Sequence, residues 1–565
     1  MGLVIDEKPQ RKRRFRLDQP ILCVSPSGDM LRLRDFLRSI ALGGSSGGGK
    51  STIMGIVLQA ALESHHTAYI ACAKSDTADW ARNIAVRAGR EDDVVVVDGS
   101  GQWRFNPIDY ALKNAGDAWS IDEALDEVWT MVEILNRGDV TRQGDAFFEP
   151  ACKQCTRYVM TVLWLAYGKI ELRRFLSTVQ TLPAGFGALE ESPERSEIVK
   201  HLSEARKRFA PGESLELDLA EDYFLKEIPN LSDKTRSSIQ ISTTVKVAGL
   251  FQRGIFPVLF EKESNISPDD VLTGGKILIW NFPMSKYRAI GRAVGVGFKQ
   301  ALQKAGLRRL ETHQGPEEEL APCGIWCDES QAWLTDFDSE ACERGRSSRL
   351  YHVYSYQSNS SLARGFGGGE QGIGKTDDLL ANLNIRIMCS QTDAKTRKAS
   401  SETIGMEEVW VATEGSNLGT GQSGGGKSGG WSVNSGQSES FTIQDKPALP
   451  EQAFMGLKNG EDGVVEAYLF KGGAEFKHNG KRFLRVRFLA DHMKPGKVFP
   501  LYPKVPLSIW FDKTPTARSW AFHIPLWKVV CDCLRSPRNT KRNWIRWIAF
   551  WGDVREILLE EESND

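Results

Sequence analysis

Long hydrophobic runs are missing from this sequence. No stretch approaches the roughly 18 consecutive apolar residues of a membrane-spanning helix, and the longest candidate, Tyr158–Tyr167, has the length of a core helix. The chain opens on no secretory hydrophobic region, so its ten cysteines, scattered from Cys23 to Cys533, are expected as free thiols in a reducing compartment. Excess charge of one sign is absent too. Lys plus Arg number 72 against 73 Asp plus Glu, a formal net charge of −1. That excludes a protein that coats nucleic acid through bulk charge and leaves room for a local basic ring or stripe. The close pair Cys152-x-x-Cys155 has no second Cys/His pair at finger spacing and lies in an apolar, helix-like stretch, which argues against zinc.

What is present is ordinary globular usage, 41% hydrophobic and 26% charged over 565 residues, enough for three to four domains and at least one large core. The basic run Arg11–Arg16 reads as a solvated arm or as a phosphate contact. From Ser39 the pattern becomes strand–loop–helix: Ile40-Ala41-Leu42, a glycine loop, then helix formers over Thr52–Leu62. Ala68–Cys72 and Val94–Val97 follow as buried strands, separated by helical stretches, and alternation of this kind signals a parallel α/β sheet. From about 115 to 234 strand signals vanish and helical periodicity takes over, as in an all-α insertion. Strands resume at Lys276–Trp280, Gly324–Asp328, Leu350–Ser355 and Ile385–Cys389. Gly415–Ser440 is rich in Gly and Ser and is expected as a flexible loop dividing the sheet domain from hairpin-like strands at Val464–Phe470 and Arg482–Phe488. The expected division is an N-terminal arm (1–35), an α/β domain (36–114 and 235–450), an all-α insertion (115–234) and a C-terminal extension (451–565). The Trp-rich basic tail around Trp544–Trp551 reads either as an interfacial membrane helix or as a segment packed on the body.

The pattern G-x-x-x-x-G-K-[ST] occurs three times, at Gly44–Ser51, Gly369–Thr376 and Gly421–Ser428. The chemistry needs a strand that delivers the loop, glycines whose backbone N–H groups converge on phosphate, and a helix starting at the Lys. Only the first copy has all three. The second is approached by polar Ser358–Gly369, and in the third Gly429-Gly430 spoils any following helix. The nucleotide-binding candidates are therefore Gly44, Gly47, Gly49, Lys50, Ser51 and Thr52. The apolar strand ending in Asp328-Glu329 is its natural complement, with Asp328 holding the coordinated water of a Mg²⁺ ion and Glu329 polarising the attacking water. Gln357, at the end of the next strand, senses the γ-phosphate or orients water, or is a plain loop residue. Arg346 or Arg349, just ahead of that strand, reaches the γ-phosphate across a subunit boundary or stays solvated. Lys50 and Glu329 are expected to face one triphosphate from adjoining strands.

The order of elements resembles the type IV coupling proteins of conjugation and type IV secretion (the TraG/TraD type), within the FtsK/HerA class of P-loop motors. The residues that carry it run from about 35 to 450: Gly43–Thr52, the strand ending at Lys74, Asp92–Asp98, Phe105-Asn106-Pro107-Ile108-Asp109, Cys327-Asp328-Glu329, Gly345-Arg346, Tyr356–Leu362, Asn382–Ile387, and Asp393 and Thr396 up to Ile404-Gly405. The resemblance implies a RecA-like P-loop NTPase domain with an inserted all-α domain. It implies ATP and Mg²⁺ as cofactors, Lys50 and Ser51 on phosphate and metal, Asp328 and Glu329 in hydrolysis, Gln357 as sensor and Arg346 as a finger from a neighbouring subunit. It also implies a homo-hexameric ring that works on DNA, single- or double-stranded, with relaxase or effector cargo and the inner-membrane components of a secretion channel. Two features depart from the family. Its usual N-terminal pair of membrane helices has no counterpart in these residues, which points to a cytoplasmic protein, peripheral to the membrane at most. Ala71-Cys72-Ala73-Lys74 also replaces the usual acidic residue before Pro-Lys. The rival readings are an FtsK/HerA-type translocase of repair, packaging or defence, and a cargo-docking adaptor with structural ATP.

Overall fold

The structure, a computed structural model, describes residues 13–489 apart from 26, 115–119, 137–147, 184, 186–195, 252–254, 256–262 and 422–431. Of the described residues, 13–24 and 30–489 belong to one compact unit and those of 25–29 to another, within which the Ser25 hydroxyl donates to the Asp29 carboxylate at 2.7 Å. The remaining account concerns the first unit.

Strands β1 (Pro20–Cys23) and β2 (Met30–Arg32) pair antiparallel beside the domain's entrance. The basic run enters just before them, with Arg13, Arg14 and Arg16 exposed around a buried Phe15 whose N–H meets the Glu318 carbonyl at 2.6 Å. Five strands follow in chain order as continuous apolar runs: β3 (Ile40–Gly43), β4 (Thr67–Ala71), β5 (Val94–Val97), β6 (Ile277–Trp280) and β7 (Cys323–Cys327). Then come β8 (Leu350–Tyr356) and β9 (Ile385–Met388). Burial on both faces explains why these strands do not alternate polar and apolar residues, as expected of a parallel sheet covered by helices.

The spatial order is β5-β6-β4-β7-β8-β3-β9, all parallel. One strand therefore separates the two functional strands. β8 lies between β3, which carries the glycine loop, and β7, which ends at Asp328-Glu329, so the two do not adjoin as expected.

Two further departures lie towards the C-terminus. β10 (Met406–Gly421) and β11 (Ser432–Pro447) form a long antiparallel ladder, in register from Met406↔Pro447 to Gly421↔Ser432. The expected flexible loop thus pairs through most of its described length. Its base carries strand formers such as Val409, Trp410 and Ile443, and backbone pairing continues outward from there without needing large side chains. β12 (Val464–Lys471) and β13 (Phe483–Leu489) are the expected hairpin, yet they do not stand apart. β12 joins β9 antiparallel and extends the sheet to nine strands.

Between β5 and β6 the described residues with regular structure are helical, including Ser120–Asn136, Phe148–Tyr167, Leu172–Gln180, Glu197–Arg206 and Asp233–Ala248. Cys152 and Cys155 are buried in the second of these, where burial pushes the Cys155 thiol up to about 12. Among the described residues no group of three His, Cys, Asp or Glu could hold a metal ion. No described helix is long and apolar enough to cross a membrane. The long helix Met284–Thr312 joins the helical region to the sheet. Arg308 meets Glu123 at 2.5 Å on one side, while the fully buried Lys299 grips Asp338 on the other. Asp338 also accepts from Gln303, Tyr354 and the Thr335 backbone, so this fully buried carboxylate is met by several donors besides its lysine.

A candidate nucleotide site at the strand ends

The phosphate-loop candidate follows β3 and ends where the helix Lys50–Glu63 begins. Gly47 and Gly49 take positive φ, 74° and 90°, which an L-residue with a side chain rarely adopts. At Gly49 space forbids a side chain as well, since an added Cβ would lie 2.3 Å from Val465 Cγ1 on β12. Lys50 is 7% exposed, and its ammonium donates to the Gly44 and Ser45 carbonyls at 2.7 and 2.9 Å. Burial draws its pKa down, while the nearby Glu329 and Asp328 carboxylates oppose that fall. Ser51 is exposed and Thr52 half-buried at the start of the same helix.

Across β8, the end of β7 delivers the two carboxylates. Asp328 is buried; its Oδ1 accepts the Ser355 hydroxyl at 2.9 Å, and its carbonyl accepts the Trp333 indole N–H at 3.1 Å. Glu329 has left-handed backbone angles, φ 52° and ψ 54°, a strain of about 1–3 kcal/mol of the kind that gathers at functional sites. Three side chains hold its carboxylate: the Gln331 amide at 2.7 Å, the Gln357 amide at 3.0 and 3.1 Å, and the Lys74 ammonium at 3.3 Å. Burial works to raise the Glu329 pKa, but the bonds from Gln331 and Gln357 and the Lys74 charge outweigh it and hold the group below the usual carboxylate range. The strand inserted between β3 and β7 is thus what brings Gln357 onto Glu329.

Residues 322–459, from just before β7 to beyond β11, match the family model described as the TraM recognition site of TraD and TraG. Among solved structures the chain is similar to the bacterial conjugative coupling protein TrwBdeltaN70 in its unbound form, 14% identical with a TM-score of 0.52, covering 86% of this chain and 90% of that one. It has the coupling-protein fold. The fold that the resemblance implied, a RecA-like P-loop domain, therefore holds. TrwB in complex with a non-hydrolysable ATP analogue matches at 14% identity and a TM-score of 0.51, covering 84% of this chain and 90% of that one. TrwB with ADP and Mg²⁺ matches at 15% and 0.51, covering 84% and 89%. No match is found among curated proteins.

The coupling-protein fold gathers Gly44, Gly47, Gly49, Lys50, Ser51, Thr52, Asp328, Glu329 and Gln357 at the carboxyl edge of the sheet. It does not bring Arg346 there. Arg346 is exposed in the turn before Leu350, at the opposite end of β8 from Gln357. Arg349, the alternative, is 3% exposed, and its carbonyl caps Cys323. The second pattern match is no phosphate loop: all of Gly369–Thr376 lies in the helix Gly369–Asn382, and Lys375 pairs with Asp336 at 2.7 Å. The third begins at Gly421, the last residue of β10, and runs outside the described residues, as does the Trp544–Trp551 tail.

Sequence reasoning missed three residues of this cluster. Lys74 stood out only as a departure from the family pattern, and its pairing follows from β4 lying beside β7. Gln331 is two residues past Glu329. Gln391, just beyond β9, accepts the Ser45 hydroxyl at 3.0 Å and donates to the Gln357 carbonyl at 2.9 Å, tying the loop to the end of β8.

Proposed function

We propose that the chain is an ATP-hydrolysing coupling protein that recruits DNA, or relaxase–DNA and effector cargo, to a conjugation or type IV secretion channel as a homo-hexameric ring. The observation that carries this reading is the glycine loop and Lys50 set across one strand from an ionised Glu329 that Gln357 holds. Backbone N–H groups of Gly44–Ser51 and the Lys50 ammonium bind the phosphates. A Mg²⁺ ion fits Ser51 and Asp328, because this hard cation needs only one or two protein oxygens beside phosphate and water, and Ser355 occupies only Oδ1 of Asp328. Bound there, the metal neutralises charge on the β- and γ-phosphates. Glu329 stays charged at neutral pH and orients the attacking water, with Gln357 reporting the γ-phosphate. Arg346, on the far edge of its own sheet, serves the site of a neighbouring subunit. In this reading residues 115–234 form an inserted domain on an α/β body, and the matched segment 322–459 supplies the surface read by accessory proteins of the DNA-processing complex.

E329Q should bind ATP as tightly as the unaltered protein and lose turnover by about 100-fold or more. Robust hydrolysis by E329Q contradicts the assignment. R346A should retain nucleotide binding and lose turnover, and unchanged activity would move the finger role to Arg349. A second reading, an FtsK/HerA-type translocase outside conjugation, draws support from the lack of any membrane-crossing helix among the described residues. An ATPase rate that does not respond to DNA favours instead an adaptor whose nucleotide is structural.

A further inference from the structure

Beside Glu329 lies a cavity of about 480 Å³ whose lining includes Glu329, Gln331 and Lys74 but none of the residues proposed to hold phosphate or metal. Its titratable lining is Lys74, Arg292, Arg364 and Glu329, three cations to one carboxylate, in a protein whose overall charge is close to zero. None of the glycine-loop residues lines it. Arg292, on the long helix, is half-buried. Its Nη2 is spent on the Ile134 carbonyl at 2.9 Å, while its Nε is buried without a partner and burial alone draws its pKa down. Arg364, on the helix Asn359–Gly365 that follows Gln357, is exposed at the opposite wall. A half-buried guanidinium that lacks compensation favours an anion next to it. Beyond Met284, which also lines the cavity, Lys286 and Arg288 are exposed around a half-buried Tyr287, with the Lys286 ammonium 4.9 Å from its ring. Several cations on neighbouring surface residues suit a phosphodiester chain better than a single small anion.

Lys74 belongs to both places. It lines this cavity and also holds Glu329 at 3.3 Å, and its side chain is 55% exposed and able to swing. We propose that the cavity binds a backbone phosphate of nucleic acid, and that Lys74 is a positioning residue that a bound phosphate draws off Glu329, freeing the carboxylate for water. Without nucleic acid the ion pair restrains Glu329; with it, Glu329 keeps only Gln331 and Gln357. The inference rests on the proposed ATPase reading and adds to it a reason why hydrolysis should wait for DNA.

The test uses the full chain and three variants, K74Q, K74R and R364E. Anisotropy of a fluorescein-labelled single-stranded oligonucleotide of about 30 nucleotides reads binding, and ATP turnover is measured with and without it. R364E should weaken binding by about tenfold and flatten the slope of log affinity against log salt by about 0.7. K74Q should raise the DNA-free rate and leave stimulation below about twofold, and K74R should restore both behaviours, which a purely structural lysine would not produce. If K74Q and R364E bind the oligonucleotide and respond to it as the unaltered chain does, the inference is overturned. It is equally overturned if the unaltered chain hydrolyses ATP without responding to DNA, or if millimolar pyrophosphate displaces the oligonucleotide only from R364E. Absent turnover in the unaltered chain, or full turnover in E329Q, defeats the ATPase reading instead, and the binding and salt-slope measurements still decide the cavity.

Discussion

Two segments of this chain spell the same eight-residue pattern and become different objects. Gly44–Ser51 bridges a buried strand and a helix, and its lysine is buried against the loop's own carbonyls. Gly369–Thr376 is the first part of a helix, and its lysine pairs on the surface with Asp336. Their glycines are there for unrelated reasons. Gly49 needs its left-handed backbone and the space that Val465 fills, whereas Gly372 lets its helix lie against Ala363, whose carbonyl would be 2.5 Å from an added Cβ. A phosphate loop is a property of the strand before it and the helix after it; the letters only permit it.

Matched substitutions sharpen that contrast. K50A should lower ATP turnover by about 100-fold or more if, as proposed, the buried ammonium meets the phosphates, and a milder loss would erode the distinction. G49A should cost about 2–4 kcal/mol in urea unfolding, combining a strained φ with a clash against Val465; a variant as stable as the parent would mean that β12 does not press on the loop. K375A should change turnover by less than about twofold and stability by under about 1 kcal/mol, since its ion pair is solvent-exposed. G374A sits in the same helix with nothing within 4 Å of an added Cβ, and should stabilise the protein by about 0.5–1 kcal/mol. A loss of ATP binding in either of the last two would break the comparison outright.

The legible part of the site was the part written contiguously. The glycine loop, Asp328-Glu329 and Gln357 each end or follow an apolar strand, so local pattern sufficed to propose them. Lys74 and Gln391 were not legible because their partners are set by strand order: β4 lies beside β7, and the residues after β9 reach back to Ser45. Order is also why the expectation of adjoining functional strands failed, since no local feature shows that β8 intervenes. The Gly/Ser tract misled for another reason. Composition reports what side chains prefer, and a ladder anchored at Trp410 and Ile443 is held by main-chain bonds that glycine makes as well as any residue.

The placement of β3 bears on how the protein is made. Its two neighbours, β8 and β9, are drawn from positions 350–356 and 385–388, and the side chain over Gly49 comes from position 465. On a translating ribosome, β3 must therefore wait for about 310 more residues for its first neighbour and about 345 for its second, roughly 15–70 s at ordinary elongation rates, with its edges unpaired. Chaperone dependence during synthesis is the expected burden of a chain whose glycine loop follows a strand that is enclosed only by strands from its far half.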